Sequence, residues 1–241
     1  MVNELKRFTI AICNENKQPK ATGILVTDDG LILTCYHVVF GLDQPTNKEI
    51  WIKYFEENGK LSKAVKAYVL KVPCSENQDI AVIKLFDIPD HLKHARLGKQ
   101  DYKGDLFDTI GFRKGELFSG LDSDGKIGSI TTAEINGGLK VLQLSSTNLA
   151  EQGMSGSPIY NPKNGFVVGV TSWFLDDKKM DVGVDKNLVL SIPTSSIIEN
   201  SQDLLLEKKN RGLRVEEFLN KINETSARTV SYTHLRAHET Q

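Results

Sequence analysis

Apolar positions in this chain come in short bursts separated by polar, Gly- or Pro-containing breaks. In the first half the bursts are Phe8–Cys13, Ala21–Thr27, Leu31–Cys35, Ile50–Phe55, Val65–Val72 and Ile80–Leu85. In the second half they are Thr109–Phe112, Gly128–Glu134, Leu139–Ser145, Ser157–Tyr160, Phe166–Trp173 and Leu188–Ile192. Each is rich in β-branched or aromatic residues, or alternates polar with apolar, and this is the signature of strands. Asp29-Gly30 and Asn136-Gly-Gly138 are hairpin signals. No long helical periodicity precedes residue 199. The pattern predicts an all-β protein of two consecutive barrels, one over about residues 1–90 and the other over about 100–198. The polar stretch Asp87–Gly104 divides them.

The pattern changes after Pro193. Ser201–Ile222 carries Leu204, Leu205, Leu206, Leu213, Val215, Phe218, Leu219 and Ile222 among charges, with Gly212 between the two groups. We read residues 199–228 as a helical linker of two short helices that leads toward a further domain. Residues 229–241 resemble translated sequencing-adapter sequence, and they are set aside as a non-native tail.

Composition narrows the function classes. The chain has 241 residues, 39% hydrophobic, with a formal net charge of −1. That balance speaks against a nucleic-acid partner held mainly by charge. No stretch approaches the roughly 20 apolar residues of a membrane span, and the polar start Met1–Arg7 lacks the apolar core of a secretory signal. The cysteines are Cys13, Cys35 and Cys74, an odd number.

The candidate chemistry lies in three segments. Gly153-Met-Ser-Gly-Ser-Pro158 puts Ser155 on a tight turn beside backbone N–H groups. Such a turn offers a nucleophilic oxygen next to donors for a developing oxyanion. Leu31-Ile-Leu-Thr-Cys-Tyr-His-Val-Val39 puts His37 at the end of an apolar strand. Asn77-Gln-Asp-Ile-Ala-Val-Ile-Lys-Leu85 puts Asp79 at the start of another. His37 can take the serine proton and return it to a leaving group, while Asp79 holds the imidazole tautomer. The order His, Asp, Ser is that of the chymotrypsin-like class.

These segments resemble the trypsin-like serine proteases. Thr34-Cys-Tyr-His37 is similar to that family's Thr-Ala-Ala-His block, and Asp79-Ile-Ala-Val-Ile-Lys-Leu85 to its Asp-Ile-Ala-Leu-Leu-Lys-Leu block. Gly153–Pro158 resembles Gly-Asp-Ser-Gly-Gly-Pro, and Gly169-Val-Thr-Ser-Trp173 resembles the strand that lines the substrate cleft. Thr22–Thr34 is closer to bacterial HtrA-like proteases. The likeness spans about residues 8–198 in four correctly ordered blocks. It implies two six-stranded antiparallel barrels, catalysis by His37, Asp79 and Ser155, and oxyanion donors at the N–H groups of Gly153 and Ser155. It implies a protein or peptide substrate and neither an organic cofactor nor a metal. Val38 stands where secreted relatives carry a disulfide cysteine. With the odd cysteine count, that points to a reducing, cytoplasmic setting in a bacterium. Bacterial domains of this type are often the N-terminal effector of a larger protein, with a downstream regulatory domain.

Other residues have plainer readings. His91 and His94 form a His-x-x-His in a polar linker without a partner set, which favours a solvated surface over a metal site. Cys35 reads as packed core rather than a second nucleophile. Asp122-Ser-Asp-Gly125 lacks the remaining ligands of a calcium loop and reads as a plain turn. Ser172, Trp173 and Phe174 follow as cleft-lining residues by resemblance, and Leu149, six positions before Ser155, as the pocket floor. With no acid at Leu149 and a ring at Phe174, small or medium apolar residues are expected before the cleaved bond. Met154 replaces the aspartate that pairs with a processed N-terminus in secreted relatives, so no N-terminal processing is expected. Two rival readings remain: a protease-fold binding module without turnover, and an HtrA-like quality-control protease with a peptide-binding domain downstream.

Overall fold

The structure, a computed structural model, describes residues 3–40, 49–70, 76–98, 102–112, 120–133, 139–145, 153–172 and 188–198. The bursts of apolar residues become twelve strands in two closed antiparallel barrels, as the sequence pattern predicts. In the first barrel the strands are β1 (Thr9–Cys13), β2 (Pro19–Leu25), β3 (Leu31–Thr34), β4 (Glu49–Tyr54), β5 (Val65–Val69) and β6 (Ala81–Lys84). They follow the order β1-β2-β3-β6-β5-β4. The first and last are joined by pairs such as Ile12↔Ile52. Closure leaves no unpaired strand edge. Ile10, Ile12, Ile24, Ile32, Ile52 and Ile83 are all fully buried in its core. The Asp29-Gly30 hairpin joins β2 to β3. Gly30 sits at φ +92, and a Cβ there would overlap the Leu85 carbonyl, so the turn requires glycine.

The second barrel contains β7 (Leu106–Gly111), β8 (Leu121–Ala133), β9 (Leu139–Ser145), β10 (Pro158–Asn161), β11 (Phe166–Thr171) and β12 (Leu188–Pro193). The pair Tyr160↔Asp108 closes it. Ala95 and Arg96 of the polar linker each bond to one of the barrels. Ala95 N–H donates to the Leu25 carbonyl, and Val167 N–H donates to that of Arg96. His91 is half-buried, with Nε2 2.9 Å from the Phe55 carbonyl, rather than simply solvated.

Two local expectations are corrected. Asp122–Gly125 is not a turn, because β8 begins at Leu121 and runs through it, opposite Gly111–Phe107 of β7. Its outward positions Asp122, Asp124 and Lys126 are exposed. Between them lie the small residues Ser123 and Gly125, and a Cβ on Gly125 would press on the Phe107 ring. An alternation of charged with small residues carries no apolar signal. His37 is likewise not on a strand. β3 stops at Thr34, and Tyr36–Phe40 forms a one-turn helix, α1. Burial of Val38 and Val39 against the core overrides their strand propensity.

The helical linker expected over 199–228, the tail 229–241, the Asn136–Gly138 hairpin and Cys74 lie outside the described residues. Among the described residues no helix is long and apolar enough to cross a membrane.

Candidate active site

The cleft between the barrels brings His37, Asp79 and Ser155 together. α1 carries His37 at the exit of β3. Asp79 ends a turn just before β6, closed by its N–H donating to the Glu76 carbonyl at 3.0 Å. Ser155 sits on the turn before β10. The His37 Nε2 lies 2.9 Å from Ser155 Oγ, and Nδ1 lies 2.8 Å from each carboxylate oxygen of Asp79. Asp79 Oδ1 also accepts the backbone N–H of His37 at 3.0 Å. One carboxylate therefore fixes both the ring and the backbone of the histidine. The Asp79 and Ser155 side chains are buried, while that of His37 keeps 29% exposure, so the imidazole edge faces the cleft mouth. Asp79 has φ +52, a left-handed conformation that Asp tolerates better than most residues.

Four neighbouring groups shape this arrangement. The Ser172 hydroxyl, fully buried, donates to Asp79 Oδ2 at 2.5 Å. The expected cleft-wall residue thus has its hydroxyl turned to the carboxylate. Thr22 joins the barrels at the Ser155 turn. Its N–H donates to the Ser155 carbonyl at 2.9 Å, and its Oγ1 accepts from the Phe112 N–H at 3.0 Å. Thr34 Oγ1 donates to the Thr22 carbonyl at 2.7 Å. Gly156, at φ +86, packs so closely on β2 that a Cβ would overlap the Thr22 carbonyl and come within 2.7 Å of Thr34 Oγ1. Sequence reasoning assigned none of these four positions the role it has here. Each lay in a quoted segment: Ser172 in Gly169–Trp173, Gly156 in Gly153–Pro158, and Thr22 and Thr34 at the ends of Thr22–Thr34.

Gly153 has φ +106. The N–H groups of Gly153 and Ser155 flank Met154 on this turn. Those of Gly156 and Ser157 are tied to the carbonyls of Thr171 and Met154. Met154 is buried among Phe107, Leu142, Leu144 and Ile159 inside the second barrel. Leu149, Trp173 and Phe174 lie outside the described residues.

Cys35, His37 and Asp79 offer ligand atoms within 4.8 Å of one another. The donor set does not suit a resident ion. Cys35 is fully buried, its Sγ donates to the Thr171 carbonyl at 3.2 Å, and burial, followed by the Asp79 charge, pushes its thiol well above the ordinary range. It is therefore a neutral thiol and a poor ligand. The His37 and Asp79 atoms are engaged with each other. His91 and His94 are not part of this or any other such group among the described residues.

The fold defines a two-barrel peptidase domain, with the Ser155 turn at the joint between the barrels. The sequence profile of the trypsin-like peptidase domain matches residues 21–170, more than half the chain, and the chain belongs to that family. Solved structures agree on the fold. The apo protease domain of MamO from Magnetospirillum magneticum superposes with a TM-score of 0.61 at 18% identity, over 83% of this chain and 98% of that one. The Rv3671c protease in an inactive form gives a TM-score of 0.60 at 16% identity, over 83% and 89%. A search of curated proteins finds no sequence match.

Proposed function

We propose that the protein is a serine endopeptidase that works through an acyl-enzyme. The observation that carries this reading is the unbroken set of contacts from Ser155 Oγ through the imidazole to Asp79, at 2.9 and 2.8 Å. In the first step Ser155 Oγ bonds to the scissile carbonyl carbon while its proton passes to His37 Nε2. The oxyanion takes up the N–H groups of Gly153 and Ser155. Collapse of that adduct breaks the C–N bond, and His37 gives its proton to the leaving amine. Water then attacks the ester with His37 as base, releasing the acid and restoring the serine. Asp79 accepts Nδ1–H throughout and remains ionised.

Burial of Met154 among apolar side chains supports activity without N-terminal processing. A charged terminus inserted there would be desolvated with no counter-charge. The preference for small or medium apolar residues before the cleaved bond rests on Leu149 and Phe174 by resemblance. A bacterial, cytoplasmic setting and a downstream regulatory domain belong to the same reading.

The test is reaction of the full chain with a fluorophosphonate probe, together with hydrolysis of a peptide library. Labelling at Ser155, with turnover abolished in Ser155→Ala, is expected. Turnover that survives Ser155→Ala would sink the assignment. Peptide binding without labelling or turnover would favour the binding-module reading, and a peptide-binding domain found downstream would favour the HtrA-like one.

A further inference from the structure

Lys20 is a half-buried cation beside α1, and nothing in the mechanism above uses it. Alternation along β2 is regular from Ala21 to Ile24. Gly23 faces the interior of the first barrel, where a Cβ would meet Ile32, Leu33 and Ile12. Thr22, on the opposite face, reaches the second barrel through Ser155 and Phe112. Lys20 lies at a break in the β1–β2 register, where Ile12 pairs with Ala21 and Cys13 with Pro19, so that alternation does not carry over to it and its ammonium is placed by its own contact. Its ammonium donates to the Val38 carbonyl at 3.0 Å, one residue past His37. Among the described residues no carboxylate lies within ion-pairing distance of it. Burial depresses its pKa, as expected for a desolvated ammonium lacking a counter-charge.

Resting on the protease reading, we propose that Lys20 is a specificity-determining residue that pairs with an acidic side chain on the leaving-group side of the cleaved bond. The leaving amine receives its proton from His37 Nε2, so the segment it belongs to departs along the His37 side of Ser155. That side carries α1 and, on its Val38 carbonyl, the Lys20 ammonium. A substrate Asp or Glu one or two residues past the bond supplies a counter-charge that the described residues do not. A half-desolvated cation discriminates more strongly than a fully hydrated one, because unpaired burial penalises a neutral competitor.

The experiment compares two pools of fluorogenic octapeptides that differ only in Glu or Gln at the first two positions after the cleaved bond. Turnover is read in the wild-type chain, and binding to the Ser155→Ala chain is read by calorimetry. Fluorophosphonate labelling separately reports the state of Ser155, so failure of the protease reading is recognised on its own. The Glu pool is expected to be favoured by about fivefold, falling with added salt. Lys20→Met should collapse that ratio and Lys20→Arg should keep it. Equal behaviour of the two pools in both readouts, including no binding by either, overturns the proposal. So does a Lys20→Met variant that slows both pools by the same factor, which would make Lys20 a mere tack on α1.

Discussion

Ser172→Ala separates two roles for a residue whose neighbours line the cleft. Its hydroxyl is fully buried and donates to Asp79 Oδ2 at 2.5 Å, an oxygen that also lies 2.8 Å from His37 Nδ1. A hydrogen bond to a charged partner contributes about 1.5–3 kcal/mol, and removing the donor forfeits that amount. The carboxylate would still hold His37 through Oδ1, so the site should survive with a looser aspartate. If the loss falls on the transition state, where the imidazolium needs a fixed anion, each 1.4 kcal/mol slows the reaction tenfold. The result is a fall of about 10- to 100-fold in kcat with KM little changed. A cleft-wall residue would behave in the opposite way, raising KM at constant kcat. The assay is steady-state hydrolysis of a short ester and a longer peptide, normalised to fluorophosphonate-titratable sites. Ser172→Thr, which keeps the hydroxyl, should recover part of the rate. A change confined to KM, or no change at all, refutes the reasoning.

Asp79→Asn keeps a residue type that tolerates φ +52, so the fold should hold. It should nevertheless cost about 10⁴ in kcat by presenting the wrong imidazole tautomer. Circular dichroism and kcat together check this, and near-normal turnover would count against Asp79. Gly156→Ala should cost about 1–3 kcal/mol for the left-handed backbone alone, with more from the overlap with the Thr22 carbonyl. It should lower both the urea midpoint and fluorophosphonate labelling, and an unchanged midpoint would show that the barrels can separate there without penalty.

The fold was legible where the physics was local. β1, β3 and β6 announce themselves because their residues are apolar on both faces, one filling a barrel and the other covered. The first half of β8 did not, because its inward positions are Ser123 and Gly125. At Gly125 the ring of Phe107, on a different strand, and the Ser145 carbonyl occupy the space a Cβ would need. α1 stayed hidden for a related reason. The apolar run from Leu31 read as a strand with His37 at its end, and the β-branched Val38 and Val39, which pack on the core in α1, gave no helical signal.

The site was legible in the same partial way. His37, Asp79 and Ser155 stood out because each is a polar residue pinned beside an apolar run or in a glycine turn. The residues that hold them did not, because their partners are remote in sequence. Thr22 looks like an ordinary threonine on a buried strand. Yet it binds the Ser155 carbonyl, the Phe112 N–H and, through its own carbonyl, Thr34. It is also the wall that makes glycine necessary at Gly156. The nucleophile turn belongs to the second barrel and the histidine to the first, so their 2.9 Å contact depends on how firmly the barrels dock. Thr22 and Gly156 set that docking at the point where an ångström matters most. A nucleophile and its base carried on separate barrels need such a joint, and its residues are chosen by fit across the cleft rather than by any pattern along the chain.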